Sequence, residues 1–279
     1  MKTKIFKTFF TLGWVSLLFI ITVNVLSGFV VLPEKSRYSA TSYGEDIVPY
    51  SSEVAEIINF TSKEETYIET KNAVPFYTPL ATLPNSCGPT AGAIIVGFYD
   101  KYYEDLIPDY KAYVSSGAYK RSDMTYVPQV MNDLYTLMRT NVDDSGVSEA
   151  ECKSGLITYF NNHGYNLTLT NIRSNNIVNQ SSYTAAINSN KPTLLFCDHM
   201  DIYNIVSSST SDKVIVSDFS GAHVAVGFGL YTVKYYNGST NFRTDTYLRI
   251  ATGLNVTSVG HLKISETDWC DAAYVTTVS

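Results

Sequence analysis

Near its middle, this 279-residue chain changes hydrophobic period. Upstream, apolar residues recur at helical spacing; downstream, they fall into short β-branched and aromatic runs. A chain that sorts helices first and antiparallel strands second is expected to take an α+β fold. The helical signals are three long segments and a short one. In Cys87–Tyr103 (CGPTAGAIIVGFYDKYY), Ala, Ile and Phe recur at helical spacing, and Pro89 sits in the first turn, where a missing N–H is tolerated. Val127–Asn141 carries Val130, Leu134, Leu137 and Met138 on one side. Val147–His163 carries Leu156, Ile157 and Phe160 and stops at Gly164. Ser181–Ser189 reads as a shorter helix. The strand signals are Leu167–Arg173, Pro192–Cys197, Lys213–Asp218, His223–Tyr236, Asp245–Ala251, Gly260–Ser265 and Ala272–Val278. Asn237-Gly238 is a hairpin signal and predicts that Val224–Tyr236 folds back on Thr244–Ala251 through a loop longer than two residues.

Composition narrows the function classes. Net charge is -6, with 20 Lys and Arg against 26 Asp and Glu and no long basic run, so a function driven by displacing phosphate counterions from nucleic acid is disfavoured. Only 16% of residues are charged while 13% are aromatic, which excludes a disordered chain. Lys2, Lys4 and Lys7 precede an uncharged, mostly apolar stretch from Thr8 to Pro33. That pattern predicts an export signal or an uncleaved membrane anchor over residues 1–33, with the remainder outside the cytoplasm, tethered or secreted. Residues 34–73 are polar and read as a linker, with at most one short amphipathic piece at Glu53–Phe60. The folded domain is expected over 74–279.

Two residues stand out for chemistry. Cys87 follows a turn-rich loop (Leu83-Pro84-Asn85-Ser86) and opens a helix, where free backbone N–H groups favour a thiolate and can hold an oxyanion. His223 opens a strand in GAHVAVG, where small neighbours leave room beside the ring. Together they form a candidate nucleophile and general base. Read blandly, Cys87 is a small buried apolar residue and His223 a core histidine bonded to backbone.

The remaining cysteines and histidines make weaker sites. Cys197-Asp198-His199 contains metal-ligating types, but adjacent strand residues point to opposite faces and the spacing is not that of a metal set, so no metal is expected. No C-x-x-C pair occurs. Cys152 and Cys270 read chiefly as core residues, with pairing between them as the alternative in an oxidising compartment. His163 suits a helix C-terminus and His261 an ordinary strand position.

The segment VPFYTPLATLPNSCGPTAGAIIVGFYDKYY (74–103), with Leu106-Ile107-Pro108 after it, resembles the nucleophile segment of bacterial papain-like cysteine peptidases of the C39-like group. GAHVAVGFG (221–229) is similar to that family's His-bearing strand, and Lys191-Pro192-Thr193-Leu194-Leu195 to the strand that follows a helix. The resemblance spans roughly residues 74–255. It implies a papain-like α+β fold: an N-terminal helical part carrying Cys87, packed on a C-terminal antiparallel sheet or half-barrel carrying His223. It also implies a thiol peptidase or amidase acting on peptide or protein substrates, without cofactor or metal, through a thioester. Two positions depart from the pattern. Where the family orients its imidazole with Asp or Asn, this chain has Ala251-Thr252-Gly253, leaving Thr252 or the nearby Asn255 as substitutes. Where the family places an oxyanion-hole Gln before the nucleophile, Asn85 is the nearest amide. These departures keep a second reading open, a non-catalytic surface binding module on an eroded peptidase fold. A third keeps the acyl-enzyme but transfers it to an amine.

Overall fold

The structure, a computed structural model, describes residues 43–44, 49–107, 126–142, 145–266 and 269–279. The export segment expected at 1–33 and residues 34–42 of the expected linker lie outside the described residues, as does Pro108. In chain order the elements are β1 (Pro49–Asn59), β2 (Ser62–Glu69), α1 (Cys87–Tyr99), a 3-10 turn at Glu104–Leu106, α2 (Tyr126–Leu137), α3 (Glu149–Asn162), β3 (Leu167–Asn171), β4 (Arg173–Ser174), β5 (Ile177–Val178), α4 (Gln180–Asn188), β6 (Thr193–Cys197), β7 (Met200–Ser207), β8 (Ser211–Phe219), β9 (His223–Asn237), β10 (Thr240–Ala251), β11 (Val259–Lys263) and β12 (Cys270–Val278). Among the described residues, no helix is long and apolar enough to cross a membrane.

Strands β11-β10-β9-β6-β12-β3 form the main sheet in that order, all antiparallel. At 15 residues, β9 is long enough to take two partners on one edge: residues 223–227 pair with β6 and residues 229–236 with β2. Alternation decides what each face buries. Leu194, Phe196, Val224, Val226 and Phe228 pack with α1, α2 and α3. Leu195, Cys197, Ala225 and Ala273 face the opposite side, with Tyr183 and Ile187 of α4 and with Trp269. A second sheet, β1-β8-β7, is also antiparallel.

Local chemistry sets the element ends. Every residue of α1 is buried, which its uncharged sequence permits. Ser148 caps α3: its hydroxyl accepts from Glu151 N–H at 3.2 Å and donates to the Glu151 carboxylate at 2.7 Å. Asn179 caps α4 by accepting from Ser182 N–H at 2.8 Å. Asn237 pairs directly with Thr240, so the β9–β10 hairpin closes through Gly238-Ser239 alone. The longer loop expected there is corrected: Gly238, at φ +61°, supplies the conformation that a two-residue turn needs at its first position.

The expected papain-like α+β fold is overturned. Among the described residues, four α-helices stand against twelve strands, and the chain is mostly antiparallel sheet. Much of the difference comes from residues 49–69, read from the sequence as linker, which form β1 and β2. Their side chains are largely exposed on both faces (β2 is SKEETYIE), so no alternating apolar signal marks them. What holds β2 is register with β9 and a buried ion pair. Lys63 Nζ donates to both oxygens of Asp212 on β8, at 3.1 and 3.0 Å, and to Ser207 Oγ at 2.7 Å; Tyr235 of β9 donates to Asp212 at 3.0 Å. Asp212 is fully buried. This cluster ties the small sheet to the large one.

Candidate functional site

Cys87 stands at the first position of α1, where the main-chain groups of Cys87 and Gly88 lie near enough to the thiol to favour its thiolate. The backbone of Val224, the second residue of β9, acts in the same direction. The fold therefore brings the start of α1 against the start of β9, beside His223. A second link lies on the far side of the imidazole. Thr252, just past β10, has its carbonyl 2.6 Å from His223 Nε2, and the next residue, Gly253, packs on Thr90, one turn into α1.

The Thr252 contact settles the imidazole's tautomer. A carbonyl only accepts, so Nε2 carries the proton and donates it. The ring is neutral, because burial pulls its pKa down to about 4 against the opposing effect of the Thr252 hydrogen bond. Nδ1 is then left with a lone pair, and it is buried without a hydrogen-bond partner. An unmet buried acceptor of this kind costs stability and calls for an explanation, a catalytic role being one.

Neither group is open to water: Cys87 is 5% exposed and His223 2%. Burial pushes the thiol up to about 12, outweighing the nearby main-chain groups of Val224, Gly88 and Cys87 that favour the thiolate. The expectation of a thiolate favoured by the helix terminus therefore does not hold, and no hydrogen bond joins thiol and imidazole.

The chain's own residues Tyr43 and Gly44 lie against Asn85 and Ala222, which stand shortly before Cys87 and His223 in the sequence. Tyr43 forms an antiparallel bridge with Val147, N–H to O at 2.8 Å in both directions, and Gly44 N–H donates to Ala222 O at 3.2 Å. The Tyr43 ring is 1% exposed, lies edge-on to Phe196 at 5.1 Å and donates its hydroxyl to Asp271 at 2.9 Å. Gly44 is wedged against Asn85, where an added Cβ would stand 2.5 Å from the Asn85 carbonyl oxygen.

The other residues singled out in the sequence fall as follows. Asn85, at φ +54°, donates its amide to Asn141 Oδ1 at 2.6 Å, so that donor is engaged. The Thr252 hydroxyl is used locally, donating to Thr257 O and accepting from Leu254 N–H, while its carbonyl orients His223. Asn255 is exposed. All four cysteines are buried and free. Cys152 lies beside Gly88, and Cys270 pairs in register with Cys197, so the alternative of a Cys152–Cys270 bridge is not realised. Among the described residues no group of His, Cys, Asp and Glu could hold a metal ion; His199 contacts only its neighbour Asp198 within the trio, at 3.7 Å. His163 bonds to Tyr159 O at 2.7 Å at the end of α3. Sequence reasoning missed Tyr43, Gly44, Val147 and Ala222. All but the Tyr43 ring act through main-chain groups, which residue type does not reveal.

The imidazole also predicts an acid-sensitive fold. The folded state holds a second ring proton on His223 only below about pH 4, whereas an unfolded histidine does so below about 6.5. The unfolded chain therefore takes up the proton first, and stability falls as pH drops from about 6.5 towards 4. The loss from His223 should be on the order of 2–3 kcal/mol. Denaturant titrations at pH 7 and pH 4.5 check this, with His223→Gln expected to flatten the slope. Unchanged pH dependence in that variant counts against the buried neutral ring.

Comparison of the chain with known protein families, with characterised proteins and with solved structures finds no match.

Proposed function

We propose that the chain is a thiol-dependent hydrolase of peptide or amide bonds, acting outside the cytoplasm, with Cys87 as nucleophile and His223 as general base and then acid. The observation that carries the reading is the imidazole: Nε2 is locked by the Thr252 carbonyl, and the bare Nδ1 belongs to a residue whose neighbour, Val224, touches the thiol. A main-chain carbonyl thus takes the orienting role that the resembled family gives to Asp or Asn and for which the side chain of Thr252 or Asn255 was expected here. With substrate present, Nδ1 takes the thiol proton and the sulfur attacks the carbonyl carbon. The oxyanion is held by the N–H groups at the start of α1, each such donor being worth about 2.7–4 kcal/mol. His223 hands its proton to the leaving amine, and water, activated by the same ring, cleaves the thioester. Export rests on the lysines and apolar stretch of residues 1–33, which would also give contact with a membrane if that segment is retained.

The thiol raised to about 12 favours a second reading, a binding module without catalysis. One variant separates the two. Cys87→Ala should lower hydrolysis of a peptide-amide library by at least about 1,000-fold, as loss of a nucleophile does. Hydrolysis that survives the change sinks the proposal. A peptide that binds wild type and Cys87→Ala equally, without turnover by either, establishes the binding module.

A further inference from the structure

We infer that Cys197 and Cys270 form a disulfide when the chain folds in an oxidising compartment, and that this bridge pins the last strand, β12, to the sheet while Cys87 stays free. Only the compartment is taken from the export reading above; the pair itself stands apart from the hydrolase reading.

The two cysteines face each other across adjacent antiparallel strands, Cys197 at the end of β6 and Cys270 at the start of β12. A bulge sets them on one side of the sheet. Cys270 pairs with Cys197 and Ala272 with Phe196, so Asp271 is an extra residue in β12. Without it, Cys270 and Ala272 would lie on one face, as residues two apart on a strand do. With it, Ala272 and Phe196 face the helices, while Cys270 and Cys197 share the opposite cluster with Met200, Phe219 and Trp269. Bulges re-aim side chains in this way.

The main chain gives the pair its spacing. Asp198 N–H donates to Trp269 O at 2.9 Å, one residue outside the pair on each strand. Such a bond flanks a non-hydrogen-bonded site, where opposed Cα atoms lie about 4.5 Å apart and side chains come closest. A disulfide spans Cα separations of about 4.4–6.8 Å, so the ladder holds these two within reach. Cys270 Sγ donates to Ala272 O at 3.5 Å, and rotation about its Cα–Cβ bond turns it to Cys197. The other two thiols, Cys87 and Cys152, belong to the cluster on the helix side of the sheet.

Both sulfurs are covered once β12 is in place. Cys197 is 0% exposed and Cys270 2%, and burial raises both thiols, Cys270 to about 12. Exchange therefore belongs to folding, before β12 docks. The oxidant is a disulfide, of a small thiol or of a protein. The thiolate of one cysteine attacks its S–S bond and releases one thiol; the second cysteine attacks the mixed disulfide and releases the other. Two electrons and two protons pass from the pair to the oxidant. The bridge closes a loop of about 70 residues, long enough to restrict the unfolded chain strongly.

The full-length chain, unfolded in urea with reductant and refolded in a mixture of reduced and oxidised glutathione, tests this by peptide mapping after alkylation. The peptides bearing Cys197 and Cys270 should be joined as the main cross-link, with Cys87 and Cys152 recovered as alkylated thiols. The bridged chain should melt at least about 5 °C above the same chain refolded in reductant alone. Cys197→Ala and Cys270→Ala should lose that difference. Where refolding gives aggregate, chain exported by a bacterial host and isolated without reductant is mapped instead. Four free thiols in the chain folded under oxidising conditions, or a main cross-link through Cys87 or Cys152, overturns the inference. A bridge that forms without raising the melting temperature overturns the pinning of β12. Hydrolysis is not read in any arm, so the hydrolase reading stands or falls separately, on Cys87→Ala.

Discussion

Replacing Gly146 with valine should raise the rate at which a small alkylating reagent labels Cys87 by about 5-fold to 150-fold. In the present arrangement, Gly146 at φ +83° lies so close to Tyr43 that a single added carbon would overlap its carbonyl. Inserted bulk of this kind costs about 1–3 kcal/mol, and each 1.4 kcal/mol shifts an equilibrium tenfold. Relief by movement of Tyr43-Gly44 away from Asn85 and Ala222, which stand shortly before Cys87 and His223, is expected to open the thiol and to lower the burial that pushes it up to about 12. Peptide mapping after timed alkylation reads the effect at each cysteine separately. Cys152, Cys197 and Cys270, which are also buried, should stay slow. A parallel rise at all four means that the variant has simply unfolded. No rise at Cys87 means that the dipeptide is not what shields it.

Lys63→Met should be the most destabilising of the surface-strand changes, at about 3–5 kcal/mol, because it strands a charge that cannot reach water. Asp212 is fully buried, and Lys63 is the cation that bonds both of its oxygens. Burial pulls the Lys63 pKa down, but hydrogen bonds to Asp212 and Glu65 prevail and hold it above the usual lysine range. Urea unfolding of Lys63→Met, Asp212→Leu and the double variant measures the pair directly. The double variant should recover most of the loss, since replacing both partners by apolar groups is often close to neutral. If Lys63→Met alone costs less than about 1 kcal/mol, the pair behaves as an exposed one and the joint between the two sheets is held by other contacts.

The helices were the most legible part of the fold. α1, α2 and α3 bury apolar faces, and periodicity reports buried faces, so Ile94, Leu134 and Leu156 mark them directly. β1 and β2 were invisible for the converse reason. Their stability comes from pairing with β8 and β9 and from one lysine, while most of their side chains meet water. Missing them, together with β7, shifted the balance of elements enough to misjudge the fold class. At the site, Cys87 and His223 could be picked out because a thiol at a helix start and an imidazole at a strand start carry chemistry in their side chains. The group that orients His223 could not. Attention fell on the hydroxyl of Thr252 and the amide of Asn255, whereas the working atom is a carbonyl oxygen that every residue possesses. Gly44 was hidden in the same way: its contribution is the absence of a side chain at a crowded point, which becomes meaningful only when Asn85 is seen beside it.

The pairing of β1 with β8 and of β2 with β9 fixes the order in which the molecule can be assembled. Strands made early in synthesis must wait for partners made much later, and large loops have to close before those contacts return any free energy, so folding should be slow. Cys87 belongs to the early portion; His223 and Thr252 belong to the late one. A nascent chain thus carries Cys87 before β9, the strand that bears His223, has formed. Any chemistry that needs both groups, as proposed above, is withheld by topology until β9 and β10 are in place.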